Sequence, residues 1–236
     1  MDALLPAMAA LLCLTLAGSM LQRFAQRHRP HELIWSATFA AFGVAAGAEL
    51  YGQLFRWTPA LARIYYLAGA SLSVGFLAAG TLLLLVPRPI AIVALLVVLV
   101  QSAFMVFLVS RAPIDPDAIQ IAGWSALTKD ASLRALALTI NVLGSIVVIG
   151  GTFGSAYAMW VDGRGARAGG VALIGLGTLT VAAGGSLIRF GHHFLYGPMV
   201  IGMLLIFVGY RWANAASRRP AVTDLHRTST EPAGPS

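Results

Sequence analysis

A single carboxylate inside an apolar segment is the feature of this sequence most able to do chemistry. In the stretch GAELYGQLFRWTPALARIYY, Glu49 is followed by Arg56 and Arg63. An ionised side chain at the centre of a membrane-spanning helix costs about 2.5–3.5 kcal/mol on insertion scales, so it needs a partner or a wet cavity. The spacing therefore predicts a buried Glu49 with Arg63 or Arg56 as its counter-charge.

Further polar and aromatic residues are expected at a similar depth, because they lie near the matching ends of neighbouring apolar segments. We predict that they form a ligand-binding cluster facing the outside of the membrane: Glu49, Arg56, Arg63, Tyr66, Asn141, Arg189 and His193. Ionisable groups within a membrane are functional candidates. The same carboxylate can instead form an ion pair that only fixes how two helices pack. The sequence leaves both interpretations open.

The histidines and the cysteine give no metal-binding or haem-binding pattern. His192 and His193 are adjacent, about 100° apart around a helix, so they cannot comfortably share one ion from a regular turn. His28 and His31 are expected on the opposite side of the membrane. Cys13 is the only cysteine, which excludes an internal disulfide and a thiolate cluster. We expect no metal site and no cofactor.

The composition indicates that lipid is the main solvent of this chain. Hydrophobic residues make up 58 % of it and charged residues only 11 %, whereas soluble domains have about 25 % charged residues. A net charge of +7 would suggest nucleic acid if the basic residues formed one soluble face. Because they lie between apolar segments instead, we expect contact with the lipid bilayer and no nucleic-acid partner.

The apolar segments define the fold class. A membrane-spanning helix needs about 20 mainly apolar residues, and seven such segments occur at residues 3–21, 33–51, 60–86, 90–110, 133–160, 170–188 and 194–212. The sequence therefore predicts an all-α polytopic membrane protein, a bundle of seven transmembrane helices over residues 1–212. Residues 213–236 are rich in Arg, Pro, Ser and Thr, and we expect a disordered basic cytoplasmic tail.

The distribution of basic residues predicts the orientation. Of the sixteen, ten follow the odd-numbered segments and six follow the even-numbered ones. Cytoplasmic loops carry the excess of Lys and Arg. We therefore expect the N-terminus outside and the C-terminus in the cytoplasm.

Small residues suggest where helices approach closely. Gly43 and Gly47 form a G-x-x-x-G pair in the second segment, and Gly150 and Gly154 form another in the fifth. Such pairs let two backbones come into contact within lipid. They are typical of helix packing inside a bundle, and they are also candidate docking faces for a partner membrane protein.

The longest connection between segments, residues 111–134, has a weak helical pattern. Apolar residues recur in it at three- and four-residue spacing: Ile114, Ala118, Ile121, Trp124 and Leu127. This suits a short helix lying on the membrane surface. An ordinary loop with scattered apolar residues explains it equally well, because short periodic runs are weak signals.

The run ARIYYLAGASLSVGFLAAGTLLLL at residues 62–85, which follows W-T-P at 57–59, resembles a pattern in small seven-helix bacterial membrane proteins of no assigned function. The resemblance covers the second to fourth segments best. It implies the seven-helix architecture and a bacterial origin only. It brings no catalytic residues with it. We expect the protein in the bacterial inner membrane.

The leading hypothesis of function is that the protein binds a small or lipid-like ligand in an outward-facing polar cavity and, as an extension, transports it. The alternative is an accessory or scaffold subunit that docks a partner through its glycine pairs. A membrane enzyme acting on a lipid or isoprenoid ranks last. It would need paired acids at one depth, and only Glu49 lies within a predicted helix.

Overall fold

The computed structural model describes residues 3–189 and 196–216, without the side chains of residues 70, 71, 184–189 and 196. In this part of the chain, seven helices are long and apolar enough to span a membrane. They are α1 Leu4–Arg27, α2 Pro30–Leu54, α3 Pro59–Leu85, α4 Arg88–Arg111, α5 Ala131–Val161, α6 Gly165–Arg189 and α7 Tyr196–Ala216. The prediction of an all-helical fold with seven helices able to span a membrane is confirmed.

Successive helices run in opposite directions, so the bundle has two ends. We name the end that holds Leu4 the N-end and the end that holds Ala216 the C-end. Ser36 near the start of α2 donates to the carbonyl of Ala17 in the second half of α1 (2.8 Å), as antiparallel neighbours require. Which end faces the outside of a cell stays a prediction.

Local sequence signals explain where several helices begin and end. Thr58 and Asp130 precede α3 and α5, and their side chains accept hydrogen bonds from Leu61 N (3.2 Å) and Leu133 N (2.7 Å). Such caps satisfy backbone donors that have no partner within the helix. The C-terminus of α1 is also defined locally: the helix ends at Arg27, and the next residue, His28, adopts the left-handed conformation (φ 50°).

One stretch of α3 departs from regular α-helix. Residues Tyr66–Leu72 are π-helical, and the hydroxyl of Ser73 donates to the carbonyl of Ala68, five residues earlier. Such wider turns are rare and occur often at functional sites. A Cβ placed on Gly69 would lie 2.8 Å from Ala45 Cβ, so this segment contacts α2 closely.

The closest helix contact lies between α6 and α7. A Cβ on Gly177 would lie 2.6 Å from the carbonyl oxygen of Gly202, and one on Gly209 would lie 2.6 Å from that of Gly170. Glycine at these positions lets two backbones touch, which is a common way to associate helices in lipid. α7 ends at Ala216, beyond the predicted residue 212, and the rest of the predicted tail lies outside the described residues.

Only one of the four glycines in the predicted G-x-x-x-G pairs makes a close contact inside the described chain. A Cβ on Gly43 would lie 2.9 Å from Leu14 Cδ2 of α1, whereas nothing lies within 4 Å of a Cβ on Gly47, Gly150 or Gly154. The spacing of the motif does not determine whether its helix face packs against a neighbouring helix. Docking of a partner on these open positions stays a prediction.

The connection between α4 and α5 is a folded segment with two short helical turns, and whether it lies on a membrane surface stays a prediction. It contains one helical turn, Ile119–Ala122, and a 3-10 turn, Gly123–Ala126. A bridge between Ile114 and Leu127 joins its two arms. We name residues 112–130 the N-end cap. Its buried apolar side chains contact α3 and α5, which explains why the spacing resembled an amphipathic helix.

The glycine contact between α6 and α7 can be tested with a pair of alanine substitutions. Gly202→Ala forces a methyl group into the backbone of α6, and we expect it to lower the free energy of unfolding by about 1–3 kcal/mol. Gly47→Ala fills open space and should be neutral or stabilising by about 0.5–1 kcal/mol, because alanine loses less entropy in a helix. Unfolding followed by circular dichroism measures both, and equal tolerance would contradict the packing described.

The cap of α5 predicts a pH dependence. Hydrogen bonds from Leu133 N and from the Ser132 hydroxyl hold the pKa of Asp130 below its ordinary value of 3.8. A carboxylate with a lowered pKa stabilises the fold above its unfolded-state pKa, and this contribution is lost as the pH falls through the folded-state pKa. Asp130→Ala should therefore lower the melting temperature near neutral pH, and its difference from wild type should shrink in acid. A difference independent of pH would contradict this assignment.

Candidate functional site

A cavity of about 500 Å³ lies inside the bundle. Six of the seven long helices line it, all except α4, and the N-end cap contributes Trp124. Most of the lining is apolar. Among the described lining residues, those with polar groups or polar aromatic rings are few: Glu49, Tyr65, Trp124, Asn141, Ser145 and Thr178. Pockets for small ligands usually have this size and this combination of apolar walls with a few polar groups.

The cavity is elongated along the helices. Its lining runs from Phe39 to Glu49 on α2 and from Leu138 to Val148 on α5. At 1.5 Å per residue each stretch is about 15 Å long. Because α2 runs towards the N-end, Glu49 lies at the N-end of the cavity and Phe39 lies deep within it. A long, narrow, mostly apolar space suits a chain-shaped ligand.

Glu49 is buried, with 6 % of its surface exposed. It lies on the face of α2 that carries Phe39, Phe42 and Ala46, which are spaced three and four residues apart and also line the cavity. One turn further on, Gln53 Nε2 donates to Glu49 Oε1 at 2.9 Å. The structure thus places a carboxylate at the N-end of an apolar cavity.

Asn141 lines the same cavity as Glu49, so the structure brings these two predicted site residues together. Its Nδ2 donates to the carbonyl of Ala137 one turn earlier, at 2.7 Å. Ser145 and Thr178 were missed by the sequence reading, although both line the cavity. Ser145 lies four residues after Asn141, and this spacing on one helix face was a signal that could have found it.

A group of aromatic rings covers the N-end of the cavity. Tyr65 and Trp124 stack with ring centroids 5.3 Å apart, and Trp57 meets Tyr65 edge-on at 6.1 Å. Gln120 fixes Trp57 to the N-end cap, since its Nε2 donates to Trp57 O (2.8 Å) and its Oε1 accepts from Trp57 N (3.2 Å). α3 and the N-end cap together therefore form the roof of the site.

Tyr65, and not the predicted Tyr66, lines the cavity. Tyr66 is buried in an apolar cluster with Met105 and Leu133, between α3, α4 and α5. The ammonium of Lys129 lies 5.0 Å from the Trp124 ring centroid and 5.7 Å from that of Tyr66. Neighbouring residues on a helix point about 100° apart, so only one of the two tyrosines can face the cavity.

The expectation that an arginine neutralises Glu49 is wrong for both candidates. Arg63 donates from Nε to the carbonyl of Val109 and from Nη2 to that of Ala112, both at 3.2 Å. It therefore satisfies backbone acceptors at the end of α4, where a positive charge is also favoured by the helix dipole. Arg56 is exposed and makes no ion pair with Glu49.

Two predicted site residues, Arg189 and His193, lie at or beyond the limit of the described residues. Arg189 is the last residue of α6, and its side chain is outside the described part. His193 falls within residues 190–195, which also lie outside it. Their part in the predicted cluster stays a prediction.

One wall of the cavity is also part of the protein surface. Leu138 and Ile146 of α5 line the cavity and expose 57 % and 63 % of their surface, and Leu179 of α6 is exposed in the same way. α5 and α6 meet near Gly175, where an added Cβ would lie 2.8 Å from Thr152 Oγ1. Towards the N-end the cavity lies between these two helices. This side belongs to the exposed apolar surface of the described helices.

A second buried carboxylate, Glu32, lies at the C-end and was missed by the sequence reading. Its Oε1 is 3.5 Å from Arg23 Nε, and only 5 % of Glu32 is exposed. Arg23 also donates to Asn214 Oδ1 and lies 5.7 Å from the ring centroid of Tyr210. This group joins α1, α2 and α7.

The described lining of the site contains few groups with acid, base or nucleophile chemistry. Glu49 is the one carboxylate among the described lining residues, so no second acid is available to share general acid and base roles. The Cys13 thiol also lines the cavity, but it lies 3.7 Å from the sulfur of Met203 and has no base beside it among the described residues. Within residues 3–189 and 196–216, no three His, Cys, Asp or Glu side chains are grouped to hold a metal ion.

Comparison with known proteins adds no relative from which a role could be transferred. The geometry of the cavity therefore carries the functional argument. The chain matches no family model, no curated protein and no solved structure.

Proposed function

We propose that this protein binds a lipid-like amphiphile taken from the bilayer and holds it in the cavity with its head group beside Glu49. The observation that carries the proposal is the shape of the cavity: it is long, mostly apolar, exposed on its side and polar near one end. A chain-shaped molecule with one polar end matches each of these properties.

The side wall supports entry from the membrane. Leu138, Ile146 and Leu179 are both lining residues and exposed apolar residues of spanning helices. A ligand dissolved in the bilayer can therefore reach the cavity without first entering water. Lipid already surrounds this wall, so transfer of an alkyl chain needs no new exposure of apolar surface.

The aromatic roof supports a fixed position for the head group. Tyr65 and Trp124 line the cavity together with Glu49, and their rings stack. Trp57 packs against Tyr65, and Gln120 of the N-end cap holds its backbone. An acyl or isoprenoid chain below the roof would lie along the 15 Å of apolar lining (roughly ten residues at 1.5 Å each) between Glu49 and Phe39. The chain would then lie parallel to the helices, as the acyl chains of lipids in the leaflet at the N-end do.

The cavity is proposed to lie in the outer leaflet of the bacterial inner membrane. The excess of basic residues towards the C-end favours a cytoplasmic C-end, which puts the cavity in the outer leaflet. The resemblance to small bacterial seven-helix proteins makes the bacterial inner membrane the proposed compartment. Movement of the ligand between leaflets would extend the same binding function.

Native mass spectrometry of the protein extracted gently from membranes tests this function. We expect wild type to retain a lipid-like molecule, and Glu49→Gln to lose most of it. Hydrogen bonds to a charged group contribute about 1.5–3 kcal/mol, so binding should weaken by about tenfold to a hundredfold.

Glu32→Gln is the matched control. It neutralises the other buried carboxylate, breaks the contact with Arg23 and should lower stability while leaving the ligand bound. Loss of the ligand from both variants, or its retention in both, contradicts the role proposed for Glu49.

A further inference from the structure

Apolar side chains close the cavity on the side of the C-end. Phe39, Leu77 and Ile206 are the lining residues nearest the C-end on α2, α3 and α7. Each lies eight to ten residues from the C-end of its helix, which is about 12–15 Å at 1.5 Å per residue. Phe39 and Ile206 belong to one buried apolar cluster, and Leu77 packs against it. We name these three residues the cavity floor.

Below the floor, α1 continues towards the C-end with no cavity beside it. Cys13 is the last residue of α1 that lines the cavity in this direction. Leu16, Ala17 and Met20 belong to the same apolar cluster as the floor, expose 7 % or less of their surface and line no part of the cavity. The space above the floor is therefore replaced by packed side chains below it.

The helices around the cavity are also in contact with one another below the floor. Ser36 of α2 donates to a carbonyl of α1 (2.8 Å), and Trp35 Nε1 of α2 donates to a carbonyl of α3 (3.3 Å). A Cβ on Gly151 of α5 would lie 2.6 Å from Leu85 Cδ1 of α3. The first half of the ring of helices, from α1 through α2 and α3 to α5, is thus closed.

The second half of the ring is closed in the same way. A Cβ on Gly175 of α6 would lie 2.8 Å from Thr152 Oγ1 of α5, and one on Gly209 of α7 would lie 2.6 Å from a carbonyl oxygen of α6. Arg23 of α1 donates to Asn214 of α7. Among the described residues, the six helices that line the cavity therefore meet all round at the C-end, and the cavity is blind in this direction.

A blind apolar cavity limits the length of the chain that it can hold. An alkyl chain whose head group lies beside Glu49 has about 15 Å of apolar lining before its terminal methyl group meets the floor. A longer chain must displace packed side chains or bend back through the side wall, and overpacking a close-packed interior is unfavourable. A shorter chain leaves an empty apolar volume, which is also unfavourable.

We propose that the cavity floor selects the ligand by the length of its chain. The ligand is an amphiphile with an unbranched alkyl chain whose terminal methyl group lies against Phe39, Leu77 and Ile206. Long polyisoprenoid chains, which would extend beyond the floor, are excluded.

This inference rests on the proposed function, because it names the class of chain that is bound in the same cavity. The two are nevertheless separable. A lipid-like ligand bound without regard to chain length would leave the binding function intact and would overturn only the role of the floor.

Photolabelling in lipid nanodiscs with a series of alkyl chains tests the role of the floor. Each probe carries a diazirine at the end of its chain, and successive probes differ by two carbons, from a chain shorter than the apolar lining to one that would pass the C-end of the helices. Every length is made with a hydroxyl, an ammonium and a sulfate head group, so that the choice of head group does not decide the result.

Peptide mass spectrometry locates the attachment of each probe after illumination. Labelling of the peptides that carry Leu77 and Ile206 reports a chain end at the floor. Labelling of α4, which lines no part of the cavity, normalises each probe for its random contact with the protein from the bilayer.

We expect normalised labelling at the floor to reach a maximum at one chain length and to fall about tenfold at the next longer probe, because the extra carbons overpack a closed interior. Labelling that stays level or keeps rising with chain length would overturn the role of the floor and leave the binding function standing. Labelling of α4 alone, by every length and every head group, would contradict the binding function itself.

Two phenylalanines of α2 provide a matched pair of variants. Phe39→Ala removes a side chain from the floor and should move the maximum to a longer chain by at least one step of the series. Phe42→Ala removes the same side chain from the wall between the floor and Glu49, so the maximum should stay at the wild-type length. Equal shifts in both variants, or no shift in Phe39→Ala, would contradict the selection of length by the floor.

Ile206→Ala opens the floor from α7 and repeats the test on a second helix. It should also move the maximum to a longer chain. If Phe39→Ala does not fold, Ile206→Ala decides the same question, and an unchanged maximum in this variant would count against the proposal.

Discussion

The close contact between α6 and α7 is the constraint on which the shape of this bundle depends. At Gly177 and Gly202 the two backbones leave no room for a side chain. α6 is therefore held against α7, and it meets α5 near Gly175. Towards the N-end, α5 and α6 leave space between them, and the cavity occupies it. The helix that small residues hold against α7 therefore also supplies one wall of the cavity.

The polar groups of the protein are divided between the two ends of this bundle. At the C-end, Arg23 and Glu32 join α1 to α2, and Asn214 adds α7. At the N-end, Arg63 completes the end of α4, so its charge serves the fold and not the cavity. Glu49 remains as the charged group of the described lining. A buried carboxylate is costly in lipid, so its position at a cavity makes Glu49 a candidate functional residue.

The sequence predicted the seven spanning helices because apolar length is a local property that lipid alone requires. It also predicted that Glu49 and Asn141 lie beside one cavity, since the depth of each residue in the membrane follows from its position along its helix. It failed where the direction of a side chain decides the outcome. Arg63 and Tyr66 have the right depth but face α4 and the apolar core. Of the two glycine pairs, only Gly43 packs closely against a neighbouring helix within the described residues, because motif spacing does not determine which face meets a neighbour.

The most direct test of the account is cryo-electron microscopy of the protein in lipid nanodiscs, with a bound antibody fragment to add size. The account predicts elongated density between α5 and α6, with one end within hydrogen-bond distance of Glu49, about 3 Å. It would be contradicted by α5 and α6 in contact along their N-end halves, with side chains filling the space beside Glu49.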